Sequence, residues 1–311
     1  MSTTILFAGG AARWPTWEAP LRRALSEAGI TAELTTSAPP EAVDFIIYAP
    51  SGDTPADFTP FIRCRAVLSL WAGVERIVGN ATLTQPLCRM VDPGLTHDMV
   101  EYVTGHALRY HLGIDALLAA QNGHWNPVVP PLAAERPVAV LGLGALGAAC
   151  ARALGGLGFP VLGWSRNPKQ LDGIDCHHGE TGLDAVLRRA EIVVTLLPAT
   201  PATENLLDTR RLALLPQGAA IINPGRGTLI DDEALLAALA SGQVGAATLD
   251  VFRTEPLPAD HPYWSHPRVT VTPHIAAETR PDSAARVIAE NVRRSLADEP
   301  LMHLVDRDAG Y

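Results

Sequence analysis

The stretch that most constrains this chain is "VAVLGLGALGAACARAL", residues 138–154. A run of branched apolar residues leads into Gly142, Gly144 and Gly147, and a series of small helix-forming residues follows. Each glycine answers a separate demand: the first permits a tight turn, the second lets backbone approach a pyrophosphate, and the third lets helix pack closely on strand. The N–H groups that open the helix, at Gly144, Ala145 and Leu146, have no partners within it, and with the positive helix end they suit a phosphate. Such a turn also arises for packing alone, so context decides its meaning. Here a strand precedes it and a second strand, "PVLGW", follows at the distance of a βαβ unit.

Other short apolar runs extend the pattern along the whole chain: "TILFAG", "TAELTT", "DFIIYAP" and "AVLSLW" before the glycine turn, then "EIVVTLLP", "AAIINPG", "AATLDVF" and "VTVTPH" after it. Runs that do not alternate with polar residues predict strands buried on both faces, as in parallel sheets covered by helices. With 311 residues there is room for two such domains. The expected fold is therefore α/β, with two doubly wound parallel-sheet (Rossmann-like) domains and an interdomain cleft. Residues 1–95 plus 284–311 are expected to form a substrate domain and residues 96–283 a nucleotide-binding domain. Between the two strand series, Thr96 to Gln121 reads as one long helix with Thr96 as its N-cap. The proline-rich "NGHWNPVVPPLAAERP" after it reads as loop.

About twenty residues beyond the glycine turn, dinucleotide-binding folds usually carry an acidic residue that meets the adenosine ribose. This chain has "GWSRNPK" there. Arg166 offers a planar fork for a phosphate, Lys169 a point charge and Ser165 a hydroxyl donor. The stretch predicts a 2′-phosphate in place of a free ribose, hence NADP with NADPH preferred over NADH; a merely solvated basic turn would leave the missing acid unexplained.

Three ionisable groups stand at or near the ends of predicted strands, where open α/β sheets place their ligands. They are Arg226 in "INPGRGTLID", Glu255 in "LDVFRTEPLP" and His274 in "VTVTPHIAAETRP". Reduction of a 2-keto acid asks for these types together: a histidine to donate the proton, a carboxylate to orient it, and an arginine to bind the substrate carboxylate and polarise the carbonyl.

With these motifs in view, the chain resembles the D-isomer-specific 2-hydroxyacid dehydrogenases. The likeness runs through "LSLWAGVERI", "GLGALG", "TLLPATPATENLL", "NPGRGTLIDDEALLAAL", "AATLDVFRTEPLP" and "PRVTVTPHIAAETRP". It is nearest the bacterial glyoxylate/hydroxypyruvate reductase A branch, through "GWSRNPK", "GHWNP" and the terminal "VDRDAGY". The resemblance implies Arg226, Glu255 and His274 as the catalytic trio, NADPH as hydride donor, and a homodimer built around the long helical segment. It further implies that Ala72 and Gly73 present backbone N–H groups to the substrate carboxylate and that Asp250 holds the nicotinamide carboxamide. Pro198 is then expected against the adenosine, Thr203 near the phosphates, and Leu197 among the cofactor-binding residues. Glu75 and Trp71 depart from the family pattern beside the substrate loop. Trp71 reads as packing or as a pocket wall, and Trp125 as a structural arm or as a residue reaching a substrate site of the other subunit.

Composition narrows the alternatives. A formal charge of -9 disfavours nucleic acid and anionic membrane as partners. No apolar stretch is long enough to span a bilayer and the N-terminus lacks a basic leader, so the expected place is the cytoplasm. Cys64, Cys88, Cys150 and Cys176 lack metal-ligand spacing, and no metal is expected. Two rival readings stay open: a dehydrogenase for a bulkier keto acid such as phenylpyruvate, and a non-catalytic nucleotide-sensing binding protein of the same fold.

Overall fold

Strands such as "FIIY", "AVLS", "VAVL", "IVVT" and "AAIIN" are buried at every position, the signature of a sheet with helices on both faces. A computed structural model of the chain describes residues 3–307 and 309–310; Met1 and Ser2, and Asp308 and Tyr311 of "VDRDAGY", lie outside the described residues. The chain divides into two units, Met1–Leu95 with Glu278–Tyr311, and Thr96–Ala277.

In the first unit, β1 (Thr3–Ala8), β2 (Ala32–Thr35), β3 (Phe45–Tyr48), β4 (Ala66–Ser69) and β5 (Leu87–Cys88) pair in parallel in the order β2-β1-β3-β4-β5. Alternation along β1 splits the core: Ile5 and Phe7 pack with Leu21 and Leu25 of α1 (Trp14–Glu27) and with Ile288 and Val292 of the C-terminal helix Pro281–Leu296. Leu6 and Ala8 pack on the opposite face with Phe58, Phe61 and Ile77, the last from the short helix α2 (Glu75–Val78). Pro281 opens the C-terminal helix, where its missing N–H costs nothing.

The second unit begins with α3 (Pro93–His111), most of whose length falls in it, and α4 (Ile114–Ala119). The expected single helix from Thr96 to Gln121 is corrected at both ends. Asp92 accepts hydrogen bonds from the Gly94 and Leu95 N–H groups at 2.8 and 3.2 Å, so the start is set earlier than Thr96. Gly113, at φ +66°, turns the chain out of the helix before α4 begins.

Its sheet comprises β6 (Val138–Leu141), β7 (Val161–Ser165), β8 (Asp175–His178), β9 (Ile192–Thr195), β10 (Ala219–Asn223), β11 (Val244–Leu249) and β12 (Val269–Val271), in the order β12-β11-β10-β9-β6-β7-β8. Every pairing is parallel. The crossovers that cover it include α5 (Ala145–Gly156), α6 (Gly179–Leu187), α7 (Thr209–Leu212) and α8 (Asp232–Ser241). Strand order reverses between β6 and β9, and the glycine turn leaves β6 at that point, where doubly wound sheets bind ligands beyond the strand ends. Among the described residues no helix is long and apolar enough to cross a membrane.

Candidate active site

The glycine turn separates what the fold requires from what it does not. Gly142 sits at φ +107°, and a Cβ on Gly147 would lie 1.7 Å from the Gly142 carbonyl oxygen, so α5 could not pack on β6 with a larger residue there. A Cβ on Gly144 would meet no protein atom within 4 Å. Gly144 is exposed, takes the N-cap of α5, and with exposed Ala145 and half-buried Leu146 presents the helix N-terminus to solvent. A helix end of this geometry and charge suits a phosphate.

At the end of β7, Ser165 is buried and its hydroxyl donates to the Asn167 carbonyl at 2.8 Å, which tightens the turn carrying exposed Arg166. The Lys169 ammonium donates to the Leu143 carbonyl at 2.8 Å. The basic turn is therefore tied to the glycine turn, and both lie beyond the ends of adjacent strands. After β9, the Thr203 hydroxyl donates to the Pro198 carbonyl at 2.7 Å and accepts from the Thr200 N–H at 2.9 Å, shaping the loop that carries half-buried Leu197 and Pro198.

Two strands farther along, each apolar run ends on a buried polar residue, and each of these holds a loop that bears one of the expected catalytic groups. Asn223 closes β10: its Oδ1 accepts from the Thr195 hydroxyl at 2.6 Å and the Gly225 N–H at 3.1 Å, while its amide donates to the Arg226 carbonyl at 2.9 Å. The Arg226 guanidinium in turn donates to the Gly225 carbonyl at 2.6 Å. Next along the chain, Gly227 has no room for a side chain, since a Cβ would fall 2.1 Å from the Phe252 carbonyl carbon. That contact seats the Arg226 turn on the segment leading to Glu255. The Phe252 N–H donates to Glu255 Oε1 at 2.9 Å, and Glu255 Oε2 lies 2.8 Å from His274 Nδ1. A carboxylate only accepts, so Nδ1 carries the hydrogen and Nε2 is left to face outward chemistry. The His274 side chain is 53% exposed.

Asp250 follows β11 and is fully buried. Its two oxygens accept from the Thr272 hydroxyl at 2.6 Å and from the Ile275 and Ala276 N–H groups at 2.9 Å each. Sequence reasoning places Asp250 on a cofactor; the structure places its carboxylate under the His274 loop, a task that reading did not assign. Sequence reasoning does not single out Asn223, Thr195 or Thr272, although Asn223 and Thr272 each close an apolar strand just before "PG" or "PH".

In the first unit, Ala72 and Gly73 follow β4 and are half-buried. Trp71 packs against that unit's core, and its backbone is fixed by Ser69 and Met90. Trp125 is 96% exposed. Burial pushes the Cys64, Cys88 and Cys150 thiols up to about 12, so they stay protonated and inert as nucleophiles. Among the described residues no group of three or more His, Cys, Asp or Glu could hold a metal ion.

Comparison with known proteins bears on this arrangement. Residues 106–276 match the family model described as D-isomer specific 2-hydroxyacid dehydrogenase, NAD binding domain. The chain is 40% identical over 258 residues to glyoxylate/hydroxypyruvate reductase A of Yersinia enterocolitica, covering 80% of this chain and 82% of that one. Among solved structures, it is similar to a D-isomer specific 2-hydroxyacid dehydrogenase from Xanthobacter autotrophicus Py2 in complex with NADPH and MES, with a TM-score of 0.92, 40% identity and full coverage of both chains. It also resembles the NADPH-dependent glyoxylate/hydroxypyruvate reductase of Sinorhizobium meliloti in complex with NADP and sulfate, with a TM-score of 0.86, 30% identity and full coverage of both.

Proposed function

The chain belongs to the D-isomer-specific 2-hydroxyacid dehydrogenases, and we propose that it reduces a small 2-keto acid with NADPH, converting glyoxylate to glycolate or hydroxypyruvate to D-glycerate. It is an NADP-dependent oxidoreductase. The residues present fit that cofactor: Gly144, Ala145 and Leu146 would hold the pyrophosphate, and Ser165, Arg166 and Lys169 the 2′-phosphate. Leu197 and Pro198 would lie against the adenosine, Thr203 near the phosphates, and Asp250 has acceptor capacity left for the carboxamide, since two oxygens offer about four acceptor directions. When bound, NADPH supplies the hydride.

The chain's own groups do the rest. His274 holds a proton at Nε2 for the carbonyl oxygen, because Nδ1 is engaged with Glu255. Glu255 fixes the ring's tautomer and orientation, and the Phe252 N–H fixes Glu255. Arg226 takes the substrate carboxylate and polarises the carbonyl. The observation that carries this reading is the 2.8 Å His274–Glu255 pair beside the Arg226 turn.

A homodimer is the assembly we propose. The segment after α3 exposes Leu118, Trp125 and Val129 at 60, 96 and 86%, an apolar arm suited to a second copy. Light scattering at two protein masses distinguishes dimer from monomer.

The deciding experiment is steady-state reduction of glyoxylate, hydroxypyruvate and phenylpyruvate, each with NADPH and NADH. The highest kcat/KM is expected for a small keto acid with NADPH. Preference for phenylpyruvate overturns the substrate assignment, and no turnover with any of the three favours a nucleotide sensor. Proton donation by a positioned side chain is worth roughly 10²–10⁴-fold, so His274→Ala should lower kcat by about that factor while NADPH affinity stays within about threefold. Retained turnover removes His274 as the acid.

A further inference from the structure

His274 sits at φ +54°, a left-handed conformation that only a few per cent of non-glycine residues adopt, histidine, asparagine and aspartate more often than the rest. Something must hold it there, and the backbone shows what. The Thr272 N–H donates to the Leu249 carbonyl at 3.0 Å, continuing the strand ladder, and the His274 N–H donates to the Asp250 carbonyl at 2.8 Å. The next two N–H groups, of Ile275 and Ala276, both turn onto the Asp250 carboxylate. A single buried residue thus receives three consecutive N–H groups of the loop that carries the catalytic imidazole.

The grip does not end at Asp250. The Thr272 hydroxyl donates to Asp250 Oδ1 at 2.6 Å and lies 2.6 Å from the phenol of Tyr102, in the middle of α3. Burial pushes the Tyr102 phenol above its ordinary value, and Asp250 adds to the shift, so the phenol keeps its proton. Because the Thr272 hydrogen is directed at the carboxylate, Tyr102 is the donor in the second contact. The chain runs one way, from Tyr102 to Thr272 to Asp250, and ends on the backbone of the His274 loop.

We propose that Thr272 and Tyr102 are positioning residues that, through Asp250, clamp His274 in its left-handed conformation by this hydrogen-bonded chain, with the Thr272 hydroxyl as the link. This rests on His274 being the proton donor. It adds to that assignment a determinant on α3, a helix that none of the catalytic groups occupies. Thr272 is the informative site because valine has the same shape and lacks only the hydroxyl, whereas serine keeps the hydroxyl and loses only a methyl.

The test compares Thr272→Val, Thr272→Ser and Tyr102→Phe by amide hydrogen exchange of Ile275 and Ala276 in the cofactor-free protein, and by kcat, KM and binary NADPH affinity. For Thr272→Val, exchange at both amides should rise about tenfold or more and kcat should fall about tenfold, on the scale of a charged hydrogen bond lost, with NADPH affinity within about twofold. Thr272→Ser should restore both to within about threefold, and Tyr102→Phe should fall between them. Unchanged amide exchange in Thr272→Val overturns the clamp. So does faster exchange with kcat unaltered, and so does failure of serine to rescue, which would assign the effect to packing. If His274→Ala retains turnover, the proton-donor reading falls, yet the exchange measurement on the cofactor-free protein still decides the clamp.

Discussion

At the scale of single residues, the basic turn after β7 divides its labour. Arg166 is exposed at the strand end, while Lys169 gives one of its donors to the Leu143 carbonyl inside the glycine turn. The two cations should therefore fail differently. A charged hydrogen bond contributes about 1.5–3 kcal/mol and about 1.4 kcal/mol is tenfold, so Arg166→Ala should lower the NADPH-to-NADH ratio of kcat/KM by about 10- to 100-fold, almost wholly through NADPH. Lys169→Met should weaken both cofactors, because it loosens the turn that each must use, in addition to a loss specific to NADPH. Fluorescence titration with the two cofactors reads this directly. NADH affinity untouched by Lys169→Met would remove the anchoring role, and an unchanged ratio in Arg166→Ala would reduce the stretch to a solvated turn. The sequence makes the phosphate preference legible through a missing acid. It conceals the Lys169 anchor, since a contact between residues 26 apart needs the register of β6 against β7 to be known.

At the scale of elements, legibility follows burial. Strands buried on both faces announce themselves as unbroken apolar runs, and β3, β4, β6, β9 and β10 lie within the expected segments. The edge strand β8, "DCHH", is polar and partly exposed, so nothing in its composition marks it; its partner β7 makes it a strand. Helix ends are legible only where a cap is distinctive: Pro281 is, whereas Asp92 loses to Thr96 in any reading that starts from the apolar stripe. The C-terminal helix also contains a charge cluster whose consequence depends on pH. Glu290 accepts from Arg293 and Arg294, each at 2.8 Å, and Arg293 also pairs with Glu299 at 2.6 Å. The hydrogen bonds from Arg293, then from Arg294, hold the Glu290 carboxyl at about 2, below its ordinary 4.5. A depressed pKa stabilises the fold above the unfolded value and loses that contribution as pH falls through the folded one, so the window runs from 4.5 down to about 2. Glu290→Gln should lower Tm most near neutral pH, by a small amount because the pair is partly exposed, and the gap to wild type should narrow as pH falls below 4.5 and close only near about 2. A gap that stays constant across thermal melts over that range would show that the cluster is not what titrates.

At the scale of the whole molecule, each unit carries a sheet of its own with a core on either face, yet the parts that fit the cofactor fall in one of them. Gly144, Ser165, Arg166, Lys169, Pro198 and Asp250 all belong to Thr96–Ala277, as do Arg226, Glu255 and His274. Ligand binding to the native state alone stabilises by RT ln(1 + [L]/Kd), about 2.7 kcal/mol at a hundredfold excess over Kd. For a unit of this size about 1 kcal/mol moves Tm by about 2–4 °C, so NADPH at that excess should raise the transition of the second unit by about 5–10 °C. Hydrogen exchange locates the effect. Slower exchange should concentrate in β6, β7, β9 and the loops after them, with the strands β1–β3 of the first unit protected little more than before. The same NADPH concentration applied to Arg166→Ala should produce a smaller rise, by the factor its lost affinity dictates, whereas His274→Ala should respond like the wild type if, as proposed, His274 serves turnover and not cofactor binding. Equal protection of both units, or a thermal shift that Arg166→Ala leaves intact, would mean that the cofactor is held by groups other than the glycine and basic turns.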